Sequence, residues 1–166
     1  YAVNYMRLDL SAVELKDSPY PIYNATLRFE PSSEIIRTGV RKKITVKVRT
    51  GGEAINVVRA TVQYDPSRFE VLDVLTENSL CGENNFLDKV IDSKAGLIKI
   101  NCFTPNINPG FYEPEGTVAE IVVMPISEGG VSLKFVDRTE VLANDGLETD
   151  VLRAITDGYY QITNQG

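Results

Sequence analysis

With 166 residues, 43% of them apolar, the chain is sized for a single domain with a real core, and no run approaches the ~18 apolar residues of a membrane helix. Its 23 acidic residues against 17 basic ones give a formal net charge of −6, which argues against nucleic acid as a partner, since phosphate binding needs concentrated Lys and Arg. The chain has no histidine, which removes Ser-His and Cys-His dyads, and with only two cysteines it offers no zinc site. No glycine-rich phosphate loop or nucleophile elbow occurs, and chance carboxylate pairs carry no information, so the sequence predicts a protein that is not an enzyme.

Tyr1 opens the chain without a basic-plus-apolar leader, so a signal peptide is expected to be either absent or already removed, and a tyrosine start favours a processed or trimmed product. In the first 34 residues Val3 and Tyr5 share one alternation, and Leu8, Leu10 and Ala12 share another after a phase slip. A break at Pro19-Tyr20-Pro21 precedes a further alternating run through Tyr23, Ala25, Leu27 and Phe29. Period-two alternation of this kind predicts strands. Asn24-Ala25-Thr26 fits the N-glycosylation triplet, with Asn24 as acceptor, although it sits within an apparent strand.

From residue 35 onward the pattern is regular. Ile44, Val46 and Val48 alternate with Thr45, Lys47 and Arg49; Gly51-Gly52 breaks the run, and Val58, Ala60 and Val62 lead to a turn at Asp65-Pro66. Strands are predicted over 44–49, 54–64, 69–75, 97–103, 117–124, 130–136, 139–143 and 158–163. Val46, Val62, Ile100, Ile121, Leu133 and Phe135 fall on the apolar phases and are the expected core. No helical periodicity lasts beyond two turns, so the predicted class is all-β, a two-sheet sandwich.

Cys81 and Cys102 have 20 residues between them. Cys102 shares a strand face with Ile98 and Ile100, while Cys81 lies beside Gly82 in a loop. A disulfide between them is expected in an oxidising compartment, where closing the loop adds roughly 3 kcal/mol; two buried free thiols are the alternative. Asp145, Glu148 and Asp150 surround a glycine turn and could hold Ca²⁺, but their order does not match an EF-hand, and a solvated hairpin loop is the favoured alternative. Phe111, Tyr112, Tyr20 and Tyr23 are candidates for a sugar platform, with pinning of proline-rich turns as the commoner role.

Four stretches carry a family resemblance. Ile44–Val48 followed by Ile55–Val58 is the first, and the turn Tyr64-Asp65-Pro66-Ser67-Arg68-Phe69-Glu70-Val71 is the second. The others are Gly116–Val123 and, more loosely, Val141–Gly146. From about Val40 to Ile162 the chain resembles the cohesin domains of bacterial surface scaffold proteins, within the wider carbohydrate-binding-module superfamily. The resemblance implies a jelly-roll sandwich, an extracellular or cell-surface location and a non-catalytic binding or scaffolding role.

Residues 1–34 fall outside that pattern, which predicts an N-terminal strand extension followed by a sandwich over 35–166. Sandwich edges carry unpaired N–H and C=O groups that a strand from another chain can satisfy. The leading expectation is therefore a structural subunit that polymerises, with Val3, Tyr5, Leu8 and Leu10 buried against a neighbour. A cohesin-type receptor for a dockerin-like module and a glycan-binding module are the alternatives.

Overall fold

Alternation of apolar side chains sets the strands. The computed structural model describes residues 24–105 and 109–165, and among these it contains twelve strands and no helix. In chain order they are β1 (Ala25–Glu30), β2 (Ser33–Arg37), β3 (Lys42–Arg49), β4 (Ile55–Gln63), β5 (Phe69–Leu75) and β6 (Phe86–Asp92). There follow β7 (Leu97–Phe103), β8 (Glu115–Pro125), β9 (Gly129–Phe135), β10 (Glu140–Ala143), β11 (Leu152–Thr156) and β12 (Gly158–Thr163). One sheet has the order β11-β1-β3-β8-β5; the other runs β2-β12-β9-β4-β7-β6, with β10 also paired to β4.

The apolar phase of each inner strand faces the opposite sheet. Leu27, Phe29, Ile44, Val46, Val48 and Ile121 from the first sheet meet Val62, Ile98, Ile100, Leu133 and Ile162 from the second, all of them buried. Phe29 stacks on Phe135 with ring centroids 4.3 Å apart, tying β1 to β9 across the core. All six side chains expected in the core are buried, because each stands on the apolar phase of a strand covered on that face.

Two stretches of chain pass from one sheet to the other in step. β1 pairs in parallel with β11, and the strands that follow them, β2 and β12, again pair in parallel in the second sheet. The Asp157 carboxylate accepts a 3.0 Å hydrogen bond from Phe135 N at one of these crossings.

This arrangement corrects the expected extension over residues 1–34. Ala25, Leu27 and Phe29 are core residues and β1 is an inner strand, while β2 crosses the expected boundary at residue 35. The alternation beginning near Tyr23 therefore belongs to the sandwich itself. Val3, Tyr5, Leu8 and Leu10 lie outside the described residues.

Candidate interaction surface

The outer faces of the two sheets differ in how their charges are used. On the five-stranded sheet, Arg28 pairs with Glu115 at 2.9 Å and with Glu30 at 3.5 Å. Arg49 also reaches Glu115 (3.5 Å), Lys47 reaches Glu30 and Lys43 reaches Glu120, both at 3.9 Å. The hydrogen bond from Arg28, aided by the charges of Arg28, Lys47 and Arg49, holds the Glu115 carboxyl below its usual range. Charges on this face are largely matched within the molecule.

The outer face of β4, β7 and β6 is less complete. The register places Arg59 opposite Asn101 and Lys99 opposite Val90. Arg59 pairs with Glu140 at 2.5 Å, but Lys99 and Arg138 have no ion pair among the described residues. The Asn101 side chain donates weakly to Asp88 at 3.4 Å, and its own Oδ1 is buried without a partner among the described residues. These groups line a depression of about 550 Å³.

On β6, the strand that ends this sheet, two apolar side chains are exposed, Leu87 at 67% and Val90 at 46%. Their exposure follows from local sequence. Val90 and Ile91 are adjacent, so a strand cannot turn both inward; Ile91 and Phe86 pack on the core, and Val90 is left outside. A bulge between Phe86 and Asp88 interrupts the pairing at Leu87. The result is an apolar pair flanked by polar and charged groups, the layout of a protein-binding patch.

The residues singled out from sequence are distributed elsewhere. Cys81 and Cys102 are both fully buried and form a disulfide with their Cα atoms 6.0 Å apart, joining the loop after β5 to β7. Asp145, Glu148 and Asp150 do not converge on a cation site, and no group of three His, Cys, Asp or Glu residues suited to a metal occurs among the described residues. Asp145 instead accepts from Leu147 N at 2.8 Å and from the Thr149 hydroxyl, which holds its carboxyl below the usual range. Asp150 accepts from Val141 N and Leu152 N, and Glu148 is exposed. These carboxylates close a loop rather than gather oxygen ligands.

Asn24 is half-buried against the turn at Gly51, and its triplet runs directly into β1, which is paired on both sides. Phe111 bridges to Ile55 and packs over Gly116, where a Cβ would come within 2.7 Å of its ring. Of the four proposed sugar-binding aromatics it therefore points into the protein and pins a loop. Tyr112 is exposed, and Tyr20 and Tyr23 lie outside the described residues.

No family model matches the sequence, and no curated protein matches it. Solved structures do. The seventh ScaB type I cohesin of Pseudobacteroides cellulosolvens superposes with a TM-score of 0.71 at 16% identity, covering 87% of this chain and 96% of that one. The fold is cohesin-like. The OlpC cohesin of Clostridium thermocellum, solved as a type I cohesin–dockerin complex, gives 0.70 at 18% identity over 88% of this chain and 97% of that one. A non-cellulosomal cohesin from the hyperthermophilic archaeon Archaeoglobus fulgidus gives 0.65 at 18% identity over 84% and 91%. The cohesin-like sandwich thus accounts for nearly the whole length of each of these neighbours, and β1 and β2 belong to it.

Proposed function

We propose that this protein is a non-catalytic interaction module that binds a dockerin-like partner through the outer face of β4, β7 and β6, outside the cell or at its surface. The observation that carries the reading is the exposure of Leu87 and Val90 on β6, with Val90 opposite Lys99, which has no ion pair among the described residues, on a fold shared with cohesins solved in dockerin complexes. Exposed apolar side chains next to polar and charged groups are a composition suited to protein binding. A disulfide between two buried cysteines supports an oxidising compartment.

Calorimetry of the full chain against a panel of type I dockerins tests this. One or more should bind, and Leu87→Asp or Val90→Asp should weaken that binding at least about tenfold, or ~1.4 kcal/mol, with an unchanged melting temperature. A panel without binders, or variants that bind as well as the parent, would remove the proposal.

A second reading, a structural subunit that polymerises through Val3, Tyr5, Leu8 and Leu10, is favoured by one observation. Among the described residues no strand pairs with the outer edge of β2, and Ile35 on that strand is exposed.

A further inference from the structure

Among the described residues the sheets end laterally at β11 and β5 in one and at β2 and β6 in the other, while β10, which pairs with β4 off this path, is bridged on by Asp150. Three of these lateral edges are blunted against further pairing. The β1–β11 ladder shifts register between Ala25 and Thr26, the β5–β8 ladder between Val71 and Asp73, and the β6–β7 ladder between Phe86 and Asp88. Bulges and edge charges such as Asp73 and Asp88 are the usual devices that stop a sheet from growing. The β2–β12 ladder has no register shift over Ser33–Arg37, and Ile35 at its middle, flanked on the strand by Glu34 and Arg37, is 72% exposed. Beside it lies a depression of about 470 Å³ lined by Ile36, Val40, Arg37 and Arg41. Val40 is 51% exposed, and neither Arg37 nor Arg41 has an ion pair among the described residues.

We infer that β2 is the acceptor edge for a strand donated by a second copy of this chain, and that the donated strand lies within residues 1–15. The chemistry of the two parts matches. In the sequence Leu8 and Leu10 alternate with Asp9, a pattern that suits an acceptor edge with apolar Ile36 and Val40 and the cationic Arg37. Backbone pairing supplies the affinity of such an added strand, and alternate side chains set its register.

A second copy is favoured over the chain's own segment by direction. β1 starts at the end of the sandwich where Asn24 packs on Gly51, and β2 lies beyond the opposite end of β1 in the other sheet. A chain's own segment has to reverse at Asn24 and retrace the length of β1. A segment donated to a subunit stacked on that end needs no such reversal. Such a contact is head-to-tail and propagates. It uses the edge opposite β6, so it stands independently of the dockerin-like reading.

Crosslinking the full chain tests the assignment. A Leu8→Cys, Val40→Cys double variant is treated with a flexible bis-maleimide and run on a denaturing gel, with a Leu8→Cys, Leu87→Cys variant as control. A ladder of dimers and higher species from the first variant alone is expected. A crosslinked monomer overturns the second copy as occupant, and equal or absent crosslinking in the two variants overturns β2 as the acceptor. Light scattering of Ile35→Lys gives a second readout: species above monomer mass should be lost while the melting temperature and dockerin binding stay as in the parent. Persistence of those species counts against the edge, whereas loss of dockerin binding alone bears only on the other face.

Discussion

The Tyr160 hydroxyl donates a 2.6 Å hydrogen bond to the carbonyl of Pro31, at the point where the chain leaves β1 for β2. Tyr160 is fully buried on β12, its ring tilted against Phe69 at 6.1 Å, so a strand of one sheet fixes the crossing of another. Gly158 leaves room for the ring, since a Cβ there would meet Tyr160 Cε2 at 2.8 Å. β2 therefore reaches its place beside β12 through a polar contact as well as backbone pairing.

Tyr160→Phe keeps the ring and deletes that contact. The Pro31 carbonyl loses its partner, which costs about 1–2 kcal/mol. Urea unfolding should show a lower midpoint with an unchanged slope. An unchanged midpoint would mean that solvent satisfies the carbonyl equally well.

The same hydroxyl predicts behaviour in alkali. Burial first, and the Glu34 charge second, push its pKa well above the ordinary 10.0. The unfolded chain ionises near 10 while the folded one resists, so this contribution is complete below pH 10 and is lost as pH rises through that value toward the raised one. Tyr64 shifts the same way through burial and Asp92. Tyr160→Phe should flatten the fall in stability above pH 10 without abolishing it. Parallel curves for parent and variant would show that Tyr160 does not titrate on unfolding.

Inner strands were legible in the sequence because burial on one face writes an apolar phase. β3, β4, β8 and β9 fall within two residues of the positions predicted from alternation at Ile44, Val58, Ile121 and Leu133. β6 and β11 were not predicted, since edge strands with mostly exposed side chains such as Asp88, Lys89 and Arg153 carry no such phase. The interaction face escaped notice for the same reason: Leu87 and Val90 belong to β6, and the adjacency of Val90 and Ile91 was the one local signal that an apolar residue must face outward. At Asp145 and Asp150 the favoured hairpin loop is what the structure contains; composition left Ca²⁺ open because it counts oxygens but not the backbone N–H groups that claim them.

Reducing the Cys81–Cys102 bond should lower stability by roughly 3 kcal/mol, from the loop entropy restored to the unfolded chain. The paired Cys81→Ala, Cys102→Ala variant should behave as the reduced protein does. The readout is the urea midpoint with and without reductant. No change on reduction would mean that the unfolded chain is already restrained around this loop.

Acid should act through Glu115. Its carboxyl is held below the ordinary 4.5, first by the hydrogen bond from Arg28 and then by the charges of Arg28, Lys47 and Arg49. A lowered folded-state value means that the contribution is complete above 4.5 and is lost as pH falls through the depressed value. Asp65 and Asp145 shift in the same sense, held by Ser67 and Thr149, whereas burial raises Glu53 and opposes them. Glu115→Gln should therefore be less stable than the parent at neutral pH and converge with it as pH drops below 4.5. Because the network lies on an exposed face, the difference should be small and should shrink with added salt. A gap that persists at low pH would mean that Glu115 acts through packing along β8 rather than through its charge.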